Sequence, residues 1–145
     1  MKKIFFLLSI FIVTSALSAQ TDDIVKTGDM MPDFKLASTV NGNIDSKDLK
    51  GKVLLINIFA TWCPTCQLEL AEIKNELGPK YKDNPKFGML TVGREHSDEE
   101  LTKYNEKKGF TLPLYPVQKR DFTSKFETKS IPRSYLVDET GKIIY

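Results

Sequence analysis

The sequence predicts an α/β domain built around a central sheet. Three observations carry that expectation. An almost unbroken apolar run, Val53 to Phe59, has the length and character of a strand covered on both faces. It feeds into a stretch with helical periodicity, where Leu70, Ile73 and Leu77 share one face. A second apolar stretch, Phe87 to Val92, is followed by another helix signature, so strands and helices alternate.

Each element has its own local cause. Residues 1–19 begin with Lys2 and Lys3, are almost wholly apolar from Ile4 to Val13, and end in small residues, Ser15, Ala16, Ser18 and Ala19. That order is a secretory signal peptide, with cleavage after Ser18 or Ala19; an uncleaved membrane anchor is the other reading. Residues 20–145 then form one domain. Asn41-Gly42-Asn43 between Lys35–Val40 and Ile44 is a hairpin signal. Ser46 to Leu49 reads as a helical turn. The helix from Cys63 to Leu77 is expected to stop at Gly78-Pro79. Ser97-Asp98-Glu99-Glu100 is a capping box that opens a helix running to Lys108, with Gly109 as its stop. Leu112 to Pro116 is a short extended piece and Asp121 to Phe126 a short helix. Tyr104 and Phe110 are expected to pack. His96, a lone loop histidine, is expected to be exposed and inert.

Chemistry concentrates where the first long strand meets its helix. Cys63 and Cys66 are the only cysteines, two residues apart. Near a βα unit such a pair reads as a redox-active dithiol. Thiol–disulfide exchange needs a thiolate. A helix N-terminus, with its unpaired N–H groups and partial positive charge, favours one at Cys63. Pro64 suits the first helical turn. The spacing places Cys66 one turn further in, within reach of a disulfide, so Cys63 is the expected nucleophile and Cys66 the buried resolving thiol. A purely structural bridge here would close a tiny loop and restrain the unfolded chain little. Zinc normally takes four ligands, and beyond the thiols the chain offers only His96, without ligand-like spacing. No metal or separate cofactor is expected; the redox group is the Cys63–Cys66 pair itself.

Trp62-Cys63-Pro64-Thr65-Cys66 resembles the active site of the thioredoxin superfamily. The wider pattern Gly51-Lys52-Val53, Asn57-Ile58-Phe59-Ala60-Thr61-Trp62, Cys63, Cys66 and Glu69 is similar to the TlpA/ResA-like thiol-disulfide oxidoreductases of bacterial envelopes, as is the Gly28…Pro32-Asp33-Phe34 segment. The resemblance spans about residues 28–145. It implies a thioredoxin-like fold: a mixed sheet flanked by helices, with an added N-terminal hairpin and one inserted helix, residues 97–108. It also implies a cis peptide at Ile131-Pro132 beside the dithiol, followed by a strand (134–138), a turn and a last strand (142–145). Pro132 would shape the substrate groove, together with Trp62, Pro64, Thr65 and Ile131. Glu69, three residues past Cys66, matches a family carboxylate; it is read either as a proton shuttle for Cys66, its pKa raised by burial, or as a solvated helix carboxylate. Thioredoxin's buried aspartate is Asn57 here, which cannot titrate. Thr65 and Ala71 stand where relatives often carry proline, and Arg133 is expected to be solvated. The family continues beyond Tyr145 into a C-terminal helix, so the chain is read as a fragment of a longer frame or an unusually short domain.

The expected activity is exchange of two electrons with client protein thiols or disulfides, as a periplasmic reductant supplied by a membrane donor of the thiol-reducing type and serving clients such as those of cytochrome c maturation. Removing residues 1–19 leaves equal basic and acidic counts and no basic run, which argues against a nucleic-acid partner. A peroxiredoxin-like thiol peroxidase is one alternative, but Ala60 and Ile56 stand where its motif requires Thr and Pro. A copper-delivery module is another, but such proteins space their cysteines three residues apart and add a histidine ligand.

Overall fold

The computed structural model describes residues 23–127 and 129–145. The signal-like residues 1–19 lie outside them. The elements are β1 (Lys35–Ser38), β2 (Gly42–Asp45), β3 (Val53–Phe59), α1 (Pro64–Glu72), α2 (Gly78–Tyr81), β4 (Phe87–Arg94), α3 (Asp98–Lys108), β5 (Leu114–Val117) and β6 (Arg133–Val137). Short 3₁₀ turns occur at Ser46–Leu49 and Thr123–Lys125.

The main sheet has the order β5-β4-β3-β6. β3 is parallel to β4, β4 is parallel to β5, and β3 is antiparallel to β6. Being central, β3 buries both faces, which explains its continuous apolar run. One face carries Leu54, Ile56 and Ile58 against Phe34, Phe122 and Phe126. The other carries Leu55 and Phe59 against Leu70 and Ile73 of the first helical stretch and Leu101 and Tyr104 of α3. Tyr104 packs on Phe59 and on Phe110, with ring centroids 5.9 and 5.8 Å apart.

The hairpin forms, but its turn sits earlier than Asn41-Gly42-Asn43. Ser38 pairs with Gly42, so Thr39-Val40-Asn41 make the turn and Gly42, at φ 78°, opens β2. Polar groups fix this register. Ser38 Oγ accepts the Val40 and Asn41 amides, and Asp98 at the start of α3 accepts from Ser38 Oγ, Thr39 N and Thr39 Oγ1. Burial opposes charge on Asp98, but the Thr39 amide and the two hydroxyls outweigh it and hold the carboxyl below its ordinary value.

Gly78-Pro79 does not stop the first helix. A π turn at Ile73–Leu77 follows α1, and the coil continues through Gly78 and Pro79 to Tyr81. Gly78 N donates to Ile73 O, five residues back. The wider turn opens the coil ahead of the proline ring, which in a regular α-helix would press on the carbonyl four residues earlier. The capping box is present with both reciprocal bonds, and Gly109 ends α3 in the left-handed region at φ 60°. Asp121–Phe126 contains only the 3₁₀ turn Thr123–Lys125. The last expected strand, residues 142–145, is reduced to isolated bridges, Met30 to Lys142 and Val137 to Ile143.

Two measurements test this packing. A Cβ on Gly93 would meet Leu101 Cδ2 at 2.7 Å and Cδ1 at 2.8 Å. Gly93→Ala should therefore lower stability in urea by about 1–3 kcal/mol, the usual cost of overpacking. Asp98 has a lowered folded-state pKa, so its contribution is complete above its ordinary value of 3.8 and fades as the pH falls through the folded value. Asp98→Asn should cost about 1 kcal/mol at neutral pH and flatten part of the acid-side loss of stability.

Candidate functional site

β3 ends buried at Phe59, and after four intervening residues the chain starts a helix at Pro64. The intervening turn is closed by Cys63 N donating to Ala60 O at 3.1 Å. Cys63 is the N-cap of α1 with extended backbone, φ −91° and ψ 111°, and Pro64 takes the first helical position. The cap is made by sulfur: Cys66 N donates to Cys63 Sγ at 3.2 Å. Cys63 and Cys66 are joined as a disulfide, with Cα atoms 5.3 Å apart. Cys63 is 5% exposed and Cys66 fully buried, so only the first sulfur faces an incoming group. Thr65 Oγ1 lies 3.4 Å from Cys63 Sγ. The N-cap amides and this hydroxyl would both stabilise a thiolate at Cys63 once the bridge is reduced.

The loop before β6 supplies the opposite wall. The Ile131-Pro132 peptide is cis, as the sequence resemblance implied. Ile131 O lies 4.0 Å from Cys63 Sγ. Trp62 is 61% exposed and flanks the dithiol on the solvent side, where Pro64 and Thr65 are also exposed. The sequence-predicted residues thus meet at one place: Trp62, Cys63, Pro64, Thr65 and Cys66 by adjacency, and Ile131 and Pro132 by the fold.

Glu69 is half-buried and held at both oxygens. Ser134 Oγ donates to Oε1 at 2.7 Å and Asn57 Nδ2 donates to Oε2 at 2.9 Å. Asn57 Nδ2 also donates to Ser134 Oγ at 3.0 Å. The register pairs Asn57 with Ser134 across β3 and β6, which sets both donors under the α1 carboxylate. This overturns the picture of a freely solvated helix carboxylate. Beside Glu69 lies a cavity of about 510 Å³, lined also by Asp23, Lys26, Pro132 and Arg133. Arg133, expected to be solvated, pairs through Nε with Asp23 Oδ1 at 2.9 Å. Tyr135 donates its hydroxyl to the same Asp23 oxygen at 2.6 Å. Burial, and then the Asp23 carboxylate, hold that phenol protonated well above its ordinary value.

His96 departs most from expectation. It is 6% exposed, and its Nε2 accepts Thr61 N at 3.0 Å. The residues are 35 apart in sequence, so no local signal joins them. No local signal joins Ser134 and Asn57 to Glu69 either; the sequence offers only a polar residue, Asn57, inside an otherwise apolar central strand.

Comparisons with known proteins agree with this geometry. The redoxin family profile matches residues 26–145. The chain is 32% identical over 123 residues to the thiol-disulfide oxidoreductase ResA of Bacillus cereus, covering 83% of this chain and 68% of the relative. It is 28% identical to the thioredoxin-like protein YneN of Bacillus subtilis, covering 82% and 69%. The solution structure of a candidate protein disulfide isomerase from Bacteroides thetaiotaomicron superposes with a TM-score of 0.82 at 30% identity, covering 86% of this chain and 80% of that one.

Ser134→Ala removes the donor to Glu69 Oε1 and the acceptor for Asn57 together. It should lower stability by about 1–3 kcal/mol in chemical denaturation, because polar groups beneath α1 lose their partners.

Proposed function

This chain belongs to the redoxin family, in the TlpA/ResA-like branch of the thioredoxin superfamily, and on that premise we propose that it is an extracytoplasmic reductant of client protein disulfides. The enzyme class is thiol-disulfide oxidoreductase, acting on protein thiols and disulfides. The observation that carries the proposal is the asymmetry of the pair: Cys63, which caps α1 through Sγ, keeps a small exposed edge, while Cys66 is fully buried.

In the reducing direction, the Cys63 thiolate attacks one sulfur of a client disulfide. A mixed disulfide forms and the first client thiolate leaves. The Cys66 thiolate then attacks Cys63 Sγ, releasing the second client thiolate and leaving the Cys63–Cys66 disulfide. Two electrons pass to the client, and a thiol-type donor at the membrane restores the dithiol. Glu69, one turn beyond Cys66, takes the proton that Cys66 must lose before it attacks. Its clamp by Ser134 and Asn57 and the adjoining cavity support that role, since they fix the carboxylate and leave it a path to solvent. Pro132 has no N–H, so the backbone before it is open to pair with an extended client segment. Trp62, Pro64, Thr65 and Ile131 form the walls of that groove. The basic, apolar, then small order of residues 1–19 supports an extracytoplasmic place, where client disulfides persist. Cytochrome c maturation is the client system that the family resemblance suggests.

Glutathione equilibration tests the direction of flow. A potential near or below about −250 mV is expected, and one near −120 mV would mark an oxidant and overturn the reductant reading. Cys66→Ser should accumulate mixed disulfides with clients while Cys63→Ser accumulates none; trapping by the second variant alone would reverse the two roles. Glu69→Gln should slow resolution by about tenfold or more and change its pH–rate profile. An unchanged profile would remove Glu69 from the mechanism.

A further inference from the structure

The turn that presents Cys63 is gripped by the connection between β4 and α3. His96 Nε2 accepts the Thr61 amide at 3.0 Å and lies 3.3 Å from Thr61 Oγ1. An acceptor role at Nε2 leaves the ring proton on Nδ1, which faces Glu100 Oε2 of α3 at 3.6 Å. The other side of the Thr61 residue is held as well. Gln67 Nε2 donates to Thr61 O at 3.0 Å, and Lys108 Nζ holds Gln67 Oε1 at 2.7 Å. Thr61 is therefore fixed at both its amide and its carbonyl, two residues before the nucleophile.

Arg94 does the corresponding work across the groove. It is 8% exposed. Its guanidinium carbon lies 6.0 Å from the Trp62 ring centroid, within cation–π range. Its Nη1 donates to Lys129 O at 2.8 Å and lies 3.4 Å from Glu127 Oε1. Glu127 is fully buried and also meets Arg120 Nη2 at 3.2 Å. Lys129 stands two residues before Ile131. One planar cation thus lies beside Trp62 and bonds the segment that leads to Ile131-Pro132, a reach that the point charge of lysine does not share.

We propose that Arg94 and His96 are positioning residues for thiol–disulfide exchange: His96 fixes the turn that presents Cys63, and Arg94 ties Trp62 to the loop that carries Ile131 and Pro132. The proposal rests on Cys63 as the attacking sulfur. The attack requires a client disulfide to approach in line with Sγ, and displacement of either wall spoils that line.

The test uses the reduced protein and two disulfides, a bridged peptide and small hydroxyethyl disulfide, alongside alkylation by iodoacetamide and thermal melting. His96→Leu removes the acceptor for Thr61 N, whereas His96→Gln retains one. Arg94→Lys keeps the charge beside Glu127 but loses the planar fork. His96→Leu should slow peptide reduction by about tenfold or more, and His96→Gln should recover to within about threefold of the native rate. Arg94→Lys should slow peptide reduction while leaving iodoacetamide alkylation unchanged, and should shift the emission of Trp62, the only tryptophan. Native peptide rates in both His96→Leu and Arg94→Lys would overturn the proposal. So would a His96→Gln protein that melts normally yet is as slow as His96→Leu. Where His96→Leu does not fold, Arg94→Lys decides: a native peptide rate with unshifted Trp62 emission overturns the assignment. A native protein inert toward both disulfides would instead bring down the exchange reading itself.

Discussion

The hydrogen bond from the Cys66 amide to the Cys63 sulfur is the constraint on which the site depends. It makes a redox atom serve as a helix cap. An ordinary N-cap uses a side-chain oxygen to satisfy one of the first free amides of the helix. Here sulfur does so, and the same amides that need a partner in the folded protein are the ones that favour negative charge on that sulfur. Local folding and reactivity are thus served by one contact. The contact exists because β3 runs buried to Phe59 and leaves only a short turn before Pro64.

Around that contact the fold supplies three further supports from distant parts of the chain. The loop before β6 brings Ile131 against the sulfur, and β6 brings Ser134 beneath Glu69. β3 brings Asn57 to the same carboxylate. The end of β4 brings Arg94 beside Trp62, and the connection from β4 to α3 brings His96 to the turn. The central sheet order is what allows this: β3 lies between β4 and β6, so its C-terminal end is flanked on both sides. The inserted helix α3 is joined to the same assembly through Lys108 and Gln67 and, at its other end, through Asp98 to the hairpin.

Much of the fold was legible because its causes are local. The run Val53–Phe59 announces a strand buried on both faces, Ser97 and Glu100 announce a helix start, and the cysteine spacing announces the dithiol. What escaped has tertiary causes. His96 looks like a surface loop residue until Thr61 arrives from 35 positions away. Arg133 looks solvated until Asp23 pairs with it. The clamp on Glu69 requires the β3–β6 register, which no window of sequence contains. Gly78-Pro79 reads as a stop because the rule concerns regular α-helices; the π turn ahead of it alters the geometry on which the rule depends.

The edges of the sheet carry a consequence for how a partner can dock. On β5, Pro116 has no N–H to offer, and the Leu114 carbonyl already accepts Asn41 Nδ2 at 2.8 Å. On β6, Leu136 exchanges backbone bonds with Ile144 and Tyr145. Among the described residues these contacts occupy part of each margin, which makes it a poorer template for another chain's strand. In the proposed reaction an extended client would then find less backbone to pair with at the sheet margins than at the Ile131-Pro132 loop, whose Ile131 carbonyl lies 4.0 Å from Cys63 Sγ.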